Sequence, residues 1–424
     1  MRILWLKSDL LLPLDKGGKL RTWHLLRHLA ARHDITYVAF ARPDEPREHV
    51  DGMREVAASV HVIPRAGTPP KGSIAFYANA AVHVFDSLPY AVGQYRSRAY
   101  SNRVASLLAE QDFDLVVCDF LVPAIHLPRR LPCPAVIFTH NVEAEIWRRH
   151  VETRDGLMAK LLYGLQHRRM VSFEGAALAR FDGVLAVSEA DRRTFERLYP
   201  GATREPAHVI PTGVDTGFYS PSPSPSESRS LVFTGSMDWL PNEDAMLFFC
   251  RDVLPLIRAE EPGVRLTIVG RTPTPAVARL AADPAITVTG RVDDIRPYVK
   301  DAAVYVVPLR IGGGTRLKIF EAMAMGKAVV STTVGAEGLP VQSGEQLLLA
   351  DGSEAFASAV VGLLRDVDRR RALEQAARTL VVEAYDWSAV ARELERALVR
   401  FAHAQRQPAD SDVAVSFAAA GDRR

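Results

Sequence analysis

The stretch that decides the fold is PLRIGGGTRLKIFEAMAMGKAVVS, residues 308–331. An apolar run, residues 303–307, comes directly before it, and a second apolar run, residues 328–330, lies near its end. Between the two runs a glycine-rich turn leads into a segment with helical periodicity, so we predict a helix over residues 315–325. A strand, a glycine turn, a helix and a second strand in this order are typical of a parallel α/β sheet.

Short apolar runs separated by helical segments recur along the whole chain. We predict strands at residues 3–6, 34–40, 60–63, 115–118, 135–138, 183–187 and 208–210, and again at 231–235, 266–269, 286–288, 303–307 and 328–330. Further helices are predicted at residues 20–31, 243–257, 354–364, 369–383 and 388–404. Apolar runs of this length indicate parallel sheets covered by helices on both faces. The fold class is therefore α/β, with two Rossmann-like, doubly wound domains.

A serine- and proline-rich segment separates the two predicted domains. We expect an N-terminal domain over residues 1–218, a linker over 219–229, a C-terminal domain over 230–386, a last helix over 387–404 and a disordered tail over 405–424. The linker is too polar and too rich in proline for the interior of a helix or strand. Ligands of doubly wound sheets bind outside the carboxyl ends of the strands, so two such domains in tandem predict a cleft with a shared site.

Composition and charge exclude several classes of protein. The 424 residues include 52 Lys plus Arg and 50 Asp plus Glu, which gives a formal net charge of +2. So balanced a charge argues against a protein that binds duplex nucleic acid. The three cysteines form no CxxC pair, which indicates free thiols rather than a disulfide framework. The first apolar run is interrupted by Lys7 and Asp9, and no long uncharged apolar window follows elsewhere, so we expect a cytoplasmic chain without a signal peptide or a membrane span.

The glycine-rich turn carries the residues with the clearest chemistry. Its candidates for binding a phosphorylated ligand are Gly312, Gly313, Gly314, Thr315, Arg316, Lys318 and Glu321. Backbone N–H groups at a helix start, together with the positive end of the helix dipole, suit a phosphate or diphosphate. Arg316 and Lys318 add full positive charges, and a carboxylate such as Glu321 can accept ribose hydroxyls. The alternative, a solvated charged helix after a glycine turn, fits the whole string less well.

This segment resembles the nucleotide-sugar signature of the GT-B fold glycosyltransferases of family 4, also called glycosyl transferases group 1, in a branch of the GGGTRLK type. Glu321 matches the second glutamate of the signature, and EAMAMGKAVV, residues 321–330, matches the rest closely. Gly313 stands where the family has a first glutamate near the donor sugar. Lys327 and Ala328 stand where the family usually has a variable residue and a proline.

Further segments extend the resemblance over most of the chain. VIPTGVD, residues 209–215, is similar to a motif at the end of the family's first domain, and DWS, residues 386–388, to the start of a C-terminal helix that packs back on that domain. The Gly17-Gly18 turn lies where the family has a glycine turn that reaches the donor phosphate. Arg291 and Val292 resemble the loop that holds the nucleotide base.

The stretch after the first strand of the second domain departs from the family. Where the family usually has an arginine and a lysine for the diphosphate, residues 235–242 read GSMDWLPN, beginning with Gly235. This stretch contains no basic residue. We therefore expect Arg316 and Lys318, together with Arg310, to neutralise the diphosphate.

His140 is the candidate residue of the first domain. It lies in THNVE, residues 139–143, directly after a predicted strand, and resembles the family's histidine at the catalytic cleft. A neutral imidazole there can hydrogen-bond the donor sugar or its phosphate. The alternative is that His140 caps the next helix. No metal site is expected, because Asp293 and Asp294 are interpreted as a helix start and the resemblance implies no essential metal.

The resemblance implies a retaining glycosyltransferase of the hexosyltransferase type. It would move a sugar from a nucleoside diphosphate sugar, without a further cofactor, to a glycan or lipid-linked acceptor in cell-surface polysaccharide biosynthesis. His140, Arg316 and Lys318 are the expected catalytic residues. The nucleotide base, the sugar and the acceptor are left open, as is a peripheral contact with the inner face of a membrane. The alternatives are a GT-B fold sugar-nucleotide epimerase and a catalytically silent sugar-nucleotide-binding subunit. A nicotinamide-dependent oxidoreductase is disfavoured, because no GxGxxG turn follows the first strand.

Overall fold

The structure is a computed structural model that describes residues 1–67, 86–153, 156–203, 205–222, 229–311 and 317–403. Several expectations fall outside these ranges. They are the tail over residues 405–424, the middle of the Ser/Pro segment over 223–228, and five of the candidate ligand-binding residues: Gly312, Gly313, Gly314, Thr315 and Arg316.

The first seven strands form one parallel sheet. They are β1 (Arg2–Leu6), β2 (Asp34–Ala41), β3 (Ser59–Pro64), β4 (Leu115–Asp119), β5 (Ala135–Phe138), β6 (Gly183–Ala186) and β7 (His208–Val209). Their order in the sheet is β3-β2-β1-β4-β5-β6-β7. The middle strands β1, β4 and β5 carry almost only buried apolar residues, because helices cover both faces.

The remaining six strands form a second parallel sheet. They are β8 (Ser230–Thr234), β9 (Arg265–Val269), β10 (Ile286–Val288), β11 (Val304–Val307), β12 (Ala328–Ser331) and β13 (Leu348–Leu349). Their order is β10-β9-β8-β11-β12-β13, which is the doubly wound arrangement of a Rossmann fold. The expected α/β fold class is confirmed, and each predicted strand is present within one or two residues of its expected ends. Among the strands of the described residues, only the two-residue strand β13 was not predicted.

Helices connect the strands. In the first part of the chain they are Gly17–Leu29, Arg47–Gly52, Tyr90–Gly93, Arg98–Glu110, Glu143–Thr153, Leu157–Leu178 and Glu189–Leu198. In the second part they are Leu240–Phe248, Leu254–Glu260, Pro275–Ala278, Arg296–Lys300, Leu317–Ala324, Ser353–Arg365, Val367–Leu380 and Trp387–His403. Short 3₁₀ helices are Met53–Glu55, Val122–His126 and Arg279–Ala282, and single π-helical turns are Phe249–Val253 and Val381–Tyr385.

Two helix predictions differ from the structure in an informative way. The first helix begins at Gly17, so Gly17 and Gly18 are its first residues and not a turn before it. A helix start tolerates glycine, because its first N–H groups make no bonds within the helix. The helix predicted over residues 243–257 is interrupted by the π-helical turn Phe249–Val253, directly before Pro255, whose missing N–H cannot continue the regular bonding.

The contacts divide the chain into two compact units. Of the described residues, unit 1 comprises residues 1–211 and 391–403, and unit 2 comprises Thr212–Val390. The division therefore falls between Pro211 and Thr212, whereas the sequence placed it at residue 218. The residues just after Pro211 belong to unit 2 because they are bonded to its last segment. Thr216 Oγ1 donates to Asp386 Oδ2 at 2.6 Å, and Val214 N donates to the Tyr385 carbonyl at 2.8 Å.

The last helix, Trp387–His403, is anchored within unit 1 by its later turns. Glu395 accepts from Arg32 and lies 2.8 Å from His33 Nε2, and Glu393 lies 2.8 Å from His208 Nε2. The ring of Phe401 packs so closely on Gly183 that a Cβ at that glycine would lie 2.3 Å from it. Among the described residues, no helix combines the length and the apolar character needed to cross a membrane.

Candidate functional site

Each sheet has one position where the strand order reverses. In the first sheet it lies between β1 and β4, and in the second between β8 and β11. The helices that follow the two strands leave in opposite directions there, so a crevice opens at the carboxyl edge, the edge where the parallel strands end. The residues that directly follow these four strands are therefore the first to consider for binding and chemistry.

A buried ion pair occupies the reversal point of unit 1. Lys7 follows β1, and Asp119 is the last residue of β4. Lys7 Nζ lies 2.8 Å from Asp119 Oδ2, and the two side chains are 1% and 0% exposed. Two further donors reach the same oxygen: Thr22 Oγ1 at 2.7 Å and Trp5 Nε1 at 3.0 Å. Burial alone would raise the pKa of Asp119, but the nearby charge of Lys7 and the bond from His140 hold that pKa well below its usual range.

His140 is bound to the other oxygen of the same carboxylate. Its Nε2 lies 2.7 Å from Asp119 Oδ1, and its side chain is 7% exposed. Burial lowers the pKa of His140 to about 3, although the charge of Asp119 acts in the opposite direction. The ring is therefore neutral at physiological pH. Because a carboxylate can only accept, Nε2 carries the proton and Nδ1 is left as a hydrogen-bond acceptor.

Close neighbours hold the ring of His140 in place. It stacks on Phe120 with ring centroids 3.8 Å apart, and Phe120 has a left-handed backbone with φ +76°, which is strained for a bulky residue. Gly18 lies close to both rings, because a Cβ there would lie 3.1 Å from the Phe120 ring and 3.7 Å from His140 Nδ1. The structure thus brings the predicted residues Gly18 and His140 together, and glycine at position 18 allows the helix start to approach them.

Arg21 is a second buried cation near this edge. Its Nη2 donates to the Ile210 carbonyl, its guanidinium lies 4.4 Å above the Phe138 ring, and it is 3% exposed. Burial lowers the pKa of Arg21 to about 9, which the charges of Asp119 and Asp191 only partly offset. Its Nε has no hydrogen-bond partner among the described residues.

In unit 2, the loop after β8 is held by a close contact between two backbones. A Cβ at Gly270 would lie 1.7 Å from the Gly235 carbonyl oxygen, so only glycine fits there. Arg271 follows Gly270, and its Nε donates to Ser236 Oγ at 2.9 Å. The segment after β8 has no basic residue of its own. The exposed Arg271, which follows β9, places a positive charge beside this segment.

Lys318 lies at the same edge, in the first turn of the helix Leu317–Ala324. Its Nζ lies 2.8 Å from Asn242 Oδ1 and 4.2 Å from the Phe233 ring centroid. A Cβ at Gly235 would lie 2.8 Å from Lys318 Nζ, so the structure brings these two predicted residues together. Asn242 also donates to the Ser236 carbonyl at 2.9 Å, which links the lysine to the loop after β8.

Glu321 lies one turn further along that helix and is hydrogen-bonded to the Tyr219 hydroxyl. Burial raises the pKa of Glu321, and the Tyr219 bond and the charge of Lys318 counteract part of that rise. Arg291 and Val292 follow β10 at the margin of the sheet. Arg291 is exposed, whereas Val292 is half-buried against the core of unit 2.

Arg310, which we expected to help neutralise a diphosphate, lies in an ion pair with a carboxylate of unit 2. Its guanidinium forms an ion pair with Asp244, with Nε 3.0 Å from Oδ2, and lies over the Phe248 ring. The carboxylate of Asp244 compensates its charge. Asp294 accepts from Arg296 N at 2.9 Å, as expected for a helix start. Within the part of the chain that the structure describes, no group of three or more His, Cys, Asp or Glu side chains could hold a metal ion.

Several residues of these two edges were missed by the sequence analysis: Lys7, Thr22, Asp119, Phe120, Tyr219, Asn242 and Arg271. One signal was available for two of them. Lys7 and Asp119 each stand at the end of an apolar strand, where a charged residue reaches the carboxyl edge. Tyr219 was hidden because it lies in the segment interpreted as a linker.

Comparison with known proteins agrees with this architecture. The model of the family "Glycosyltransferase Family 4" matches residues 16–218, and that of "Glycosyl transferases group 1" matches residues 228–366. The chain is 29% identical over 313 residues to a phosphatidyl-myo-inositol mannosyltransferase of Mycolicibacterium smegmatis, which covers 70% of this chain and 74% of the relative.

Two solved structures share the fold over nearly the whole chain. The sucrose-phosphate synthase of Thermosynechococcus elongatus aligns with a TM-score of 0.63 and 17% identity, covering 94% of this chain and 98% of the other. Anabaena HepE in complex with UDP aligns with a TM-score of 0.64 and 17% identity, covering 94% and 100%. Identities this low show the fold alone. Taken with the family matches, they identify the chain as a GT-B fold glycosyltransferase of family 4 that uses a nucleotide-sugar donor.

Proposed function

We propose that the chain is a retaining glycosyltransferase whose unit 2 binds the nucleoside diphosphate part of the donor. The observation that carries the proposal is the grouping of Lys318, Gly235 and Glu321 at the reversal point between β8 and β11. Lys318 and Arg271 supply positive charge for the diphosphate, and Glu321 accepts ribose hydroxyls. The glycine run Gly312–Gly314, Thr315 and Arg316 precede the same helix in sequence and complete the proposed phosphate site.

In unit 1, His140 acts as a hydrogen-bond acceptor for a sugar hydroxyl. An imidazole whose pKa lies at about 3 is a poor base at neutral pH, so it orients the hydroxyl rather than removing its proton. Asp119 is equally unsuited to form a covalent bond to the sugar, because both of its oxygens are occupied and it is fully buried. Retention of configuration therefore proceeds without a covalent intermediate on Asp119.

A lipid-linked acceptor or glycan of the cell surface is the proposed second substrate. The relatives named phosphatidyl-myo-inositol mannosyltransferase support an acceptor presented at a membrane. The structure offers a surface for such a contact, the apolar stripe. It consists of Leu157, Met158, Leu161, Leu162 and Leu165, whose exposed fractions are 77%, 70%, 60%, 48% and 38%. Their spacing places them on one side of the helix Leu157–Leu178.

The charges of this helix fit an anionic lipid surface. Lys160 and Arg168 are exposed beside the stripe, and the only acidic residue of the helix, Glu174, is 1% exposed. A helix with apolar side chains on one face and only basic side chains exposed next to them binds at the level of lipid headgroups. We therefore place the protein at the inner face of the cytoplasmic membrane as a peripheral protein.

The transfer reaction tests the proposed activity. We expect the purified chain to release nucleoside diphosphate from one of the UDP-, GDP-, ADP- or dTDP-sugars only when a glycan or lipid-linked acceptor is present. The anomeric coupling constant in the proton NMR spectrum of the product is expected to equal that of the donor. An altered sugar formed without acceptor would point to the epimerase, and inversion at the anomeric carbon would contradict the proposed mechanism.

Nucleotide affinity tests the donor site. Lys318→Ala is expected to weaken binding of the preferred nucleoside diphosphate about 10- to 100-fold, because a charge-assisted hydrogen bond contributes about 1.5–3 kcal/mol. Glu321→Gln keeps the shape of the side chain and is expected to weaken nucleotide binding about 10-fold. Isothermal titration calorimetry measures both effects. Arg310→Ala is the matched control, because its charge is already paired with Asp244. The donor site is wrongly assigned if Lys318→Ala binds as wild type or if Arg310→Ala causes the larger loss.

Sedimentation with lipid vesicles tests the apolar stripe. We expect the full chain to sediment with vesicles of phosphatidylcholine and phosphatidylglycerol, and the double variant Leu161→Asp, Leu165→Asp to remain in the supernatant. Leu256→Asp is the matched control, since Leu256 is 40% exposed in the helix Leu254–Glu260 of unit 2. Wild-type protein that stays in the supernatant contradicts the contact. So does a double variant that only converts a dimer to a monomer, because the stripe would then join two copies.

A further inference from the structure

Glu174 binds the start of the helix that follows His140. Its Oε1 accepts the backbone N–H of Glu143 at 2.9 Å, and its Oε2 accepts that of Ala144 at 3.1 Å. These are the first two residues of the helix Glu143–Thr153, whose N–H groups have no partner within the helix. One carboxylate, supplied by the long helix Leu157–Leu178, therefore satisfies both, and it carries the charge that the helix dipole favours at this end.

The contact of Glu174 with Glu143 lies three residues after His140. A second contact lies directly before His140, at Thr139. Thr139 donates to the Leu185 carbonyl through both its backbone N–H and its Oγ1, each at 2.9 Å. The backbone around His140 is thus attached to β6 on one side and to Glu174 on the other. Val142, between His140 and the helix, is 3% exposed and packs in the core of unit 1.

Burying the carboxylate of Glu174 at this position costs free energy. It is 1% exposed, and it accepts from two backbone N–H groups and from the hydroxyl of Tyr199. Burial raises the pKa of Glu174, while the bond from Tyr199 and the two backbone bonds lower it again. A buried carboxylate costs free energy unless all of its bonds are made, so its presence needs a reason beyond filling space.

Tyr199 completes the arrangement. Its hydroxyl donates to Glu174 Oε2 at 2.6 Å. The tyrosine ring reaches that oxygen by passing over Gly175, where a Cβ would lie 2.9 Å from the ring. Gly175, in the helix Leu157–Leu178, and Tyr199, directly after the helix Glu189–Leu198, are therefore matched to hold the carboxylate of Glu174 in one orientation.

We propose that Glu174 is a positioning residue for glycosyl transfer, which fixes the backbone on the helix side of His140 so that Nδ1 keeps its direction. Asp119 orients the imidazole ring through Nε2, and Glu174 with Tyr199 holds the chain that carries the ring. The inference rests on the proposed function, since it assigns His140 to the sugar substrate. A reacting group displaced by about 1 Å can lose about a hundredfold in rate, which sets the size of the effect.

Kinetics of Glu174 variants test this role. Glu174→Ala is expected to lower kcat about a hundredfold and to leave the affinity for the nucleoside diphosphate unchanged, because the nucleotide residues lie in unit 2. Glu174→Gln keeps one oxygen acceptor and is expected to recover part of the rate. Tyr199→Phe, which removes a single bond, is expected to have the smallest effect. Amide hydrogen exchange at Glu143 and Ala144 should quicken in the same order.

Asp182→Asn is the matched control. Asp182 Oδ2 accepts the backbone N–H of Ala135 at 2.9 Å, so it makes the same kind of bond at the other end of β5. We expect that variant to keep wild-type kcat. If Glu174→Ala does not fold, Glu174→Gln and Tyr199→Phe decide the question. Faster exchange with unchanged kcat would show that Glu174 is only structural, and an equal loss of nucleotide affinity would also overturn the proposal. An absence of transfer by the wild-type chain would refute the proposed function instead, and the exchange rates would still report on the contact.

Discussion

The buried ion pair between Lys7 and Asp119 is the interaction on which the architecture of unit 1 depends. It joins the ends of β1 and β4 at the point where the strand order reverses. Removing one partner of such a pair costs about 3–5 kcal/mol, because the other charge is left buried. The donors to Asp119 come from three parts of the unit: Trp5 and Lys7 from β1 and its end, Thr22 from the first helix, and His140 from the loop after β5. The pair therefore fixes these elements relative to one another.

The same carboxylate decides what His140 can do. By accepting from Nε2, Asp119 selects the tautomer whose Nδ1 is an acceptor, and burial keeps the ring neutral. The carboxyl edge of the sheet in unit 2 is built from different residues. There Gly235 and Gly270 approach each other closely, and Lys318 and Arg271 bring positive charge to the same edge. One unit thus presents a neutral acceptor with the geometry suited to a sugar hydroxyl, and the other presents cations suited to a diphosphate.

The sequence predicts the sheets well because strands that are buried on both faces appear as uninterrupted apolar runs, as at β5. It misses β13, which is only two residues long, and it starts the first helix too late because glycine pairs usually indicate turns. The positions of His140, Gly18 and Lys318 in the fold could be predicted, since each follows a strand or starts a helix within a recognisable motif. The partners of these residues could not. Lys7 and Asp119 are 112 residues apart, and Tyr219 and Glu321 are also distant, so their contacts follow only from the order of the strands.

The Lys7–Asp119 pair presets His140 as a neutral acceptor at Nδ1. Nitrogen-15 NMR of the histidine rings, with His140 assigned from a His140→Gln variant, measures both its tautomer and its titration. We expect a proton on Nε2, a lone pair on Nδ1 and no titration of this ring between pH 5 and 8, because its pKa lies at about 3. A His140 ring that titrates near pH 6.5, or that carries its proton on Nδ1, would contradict this expectation.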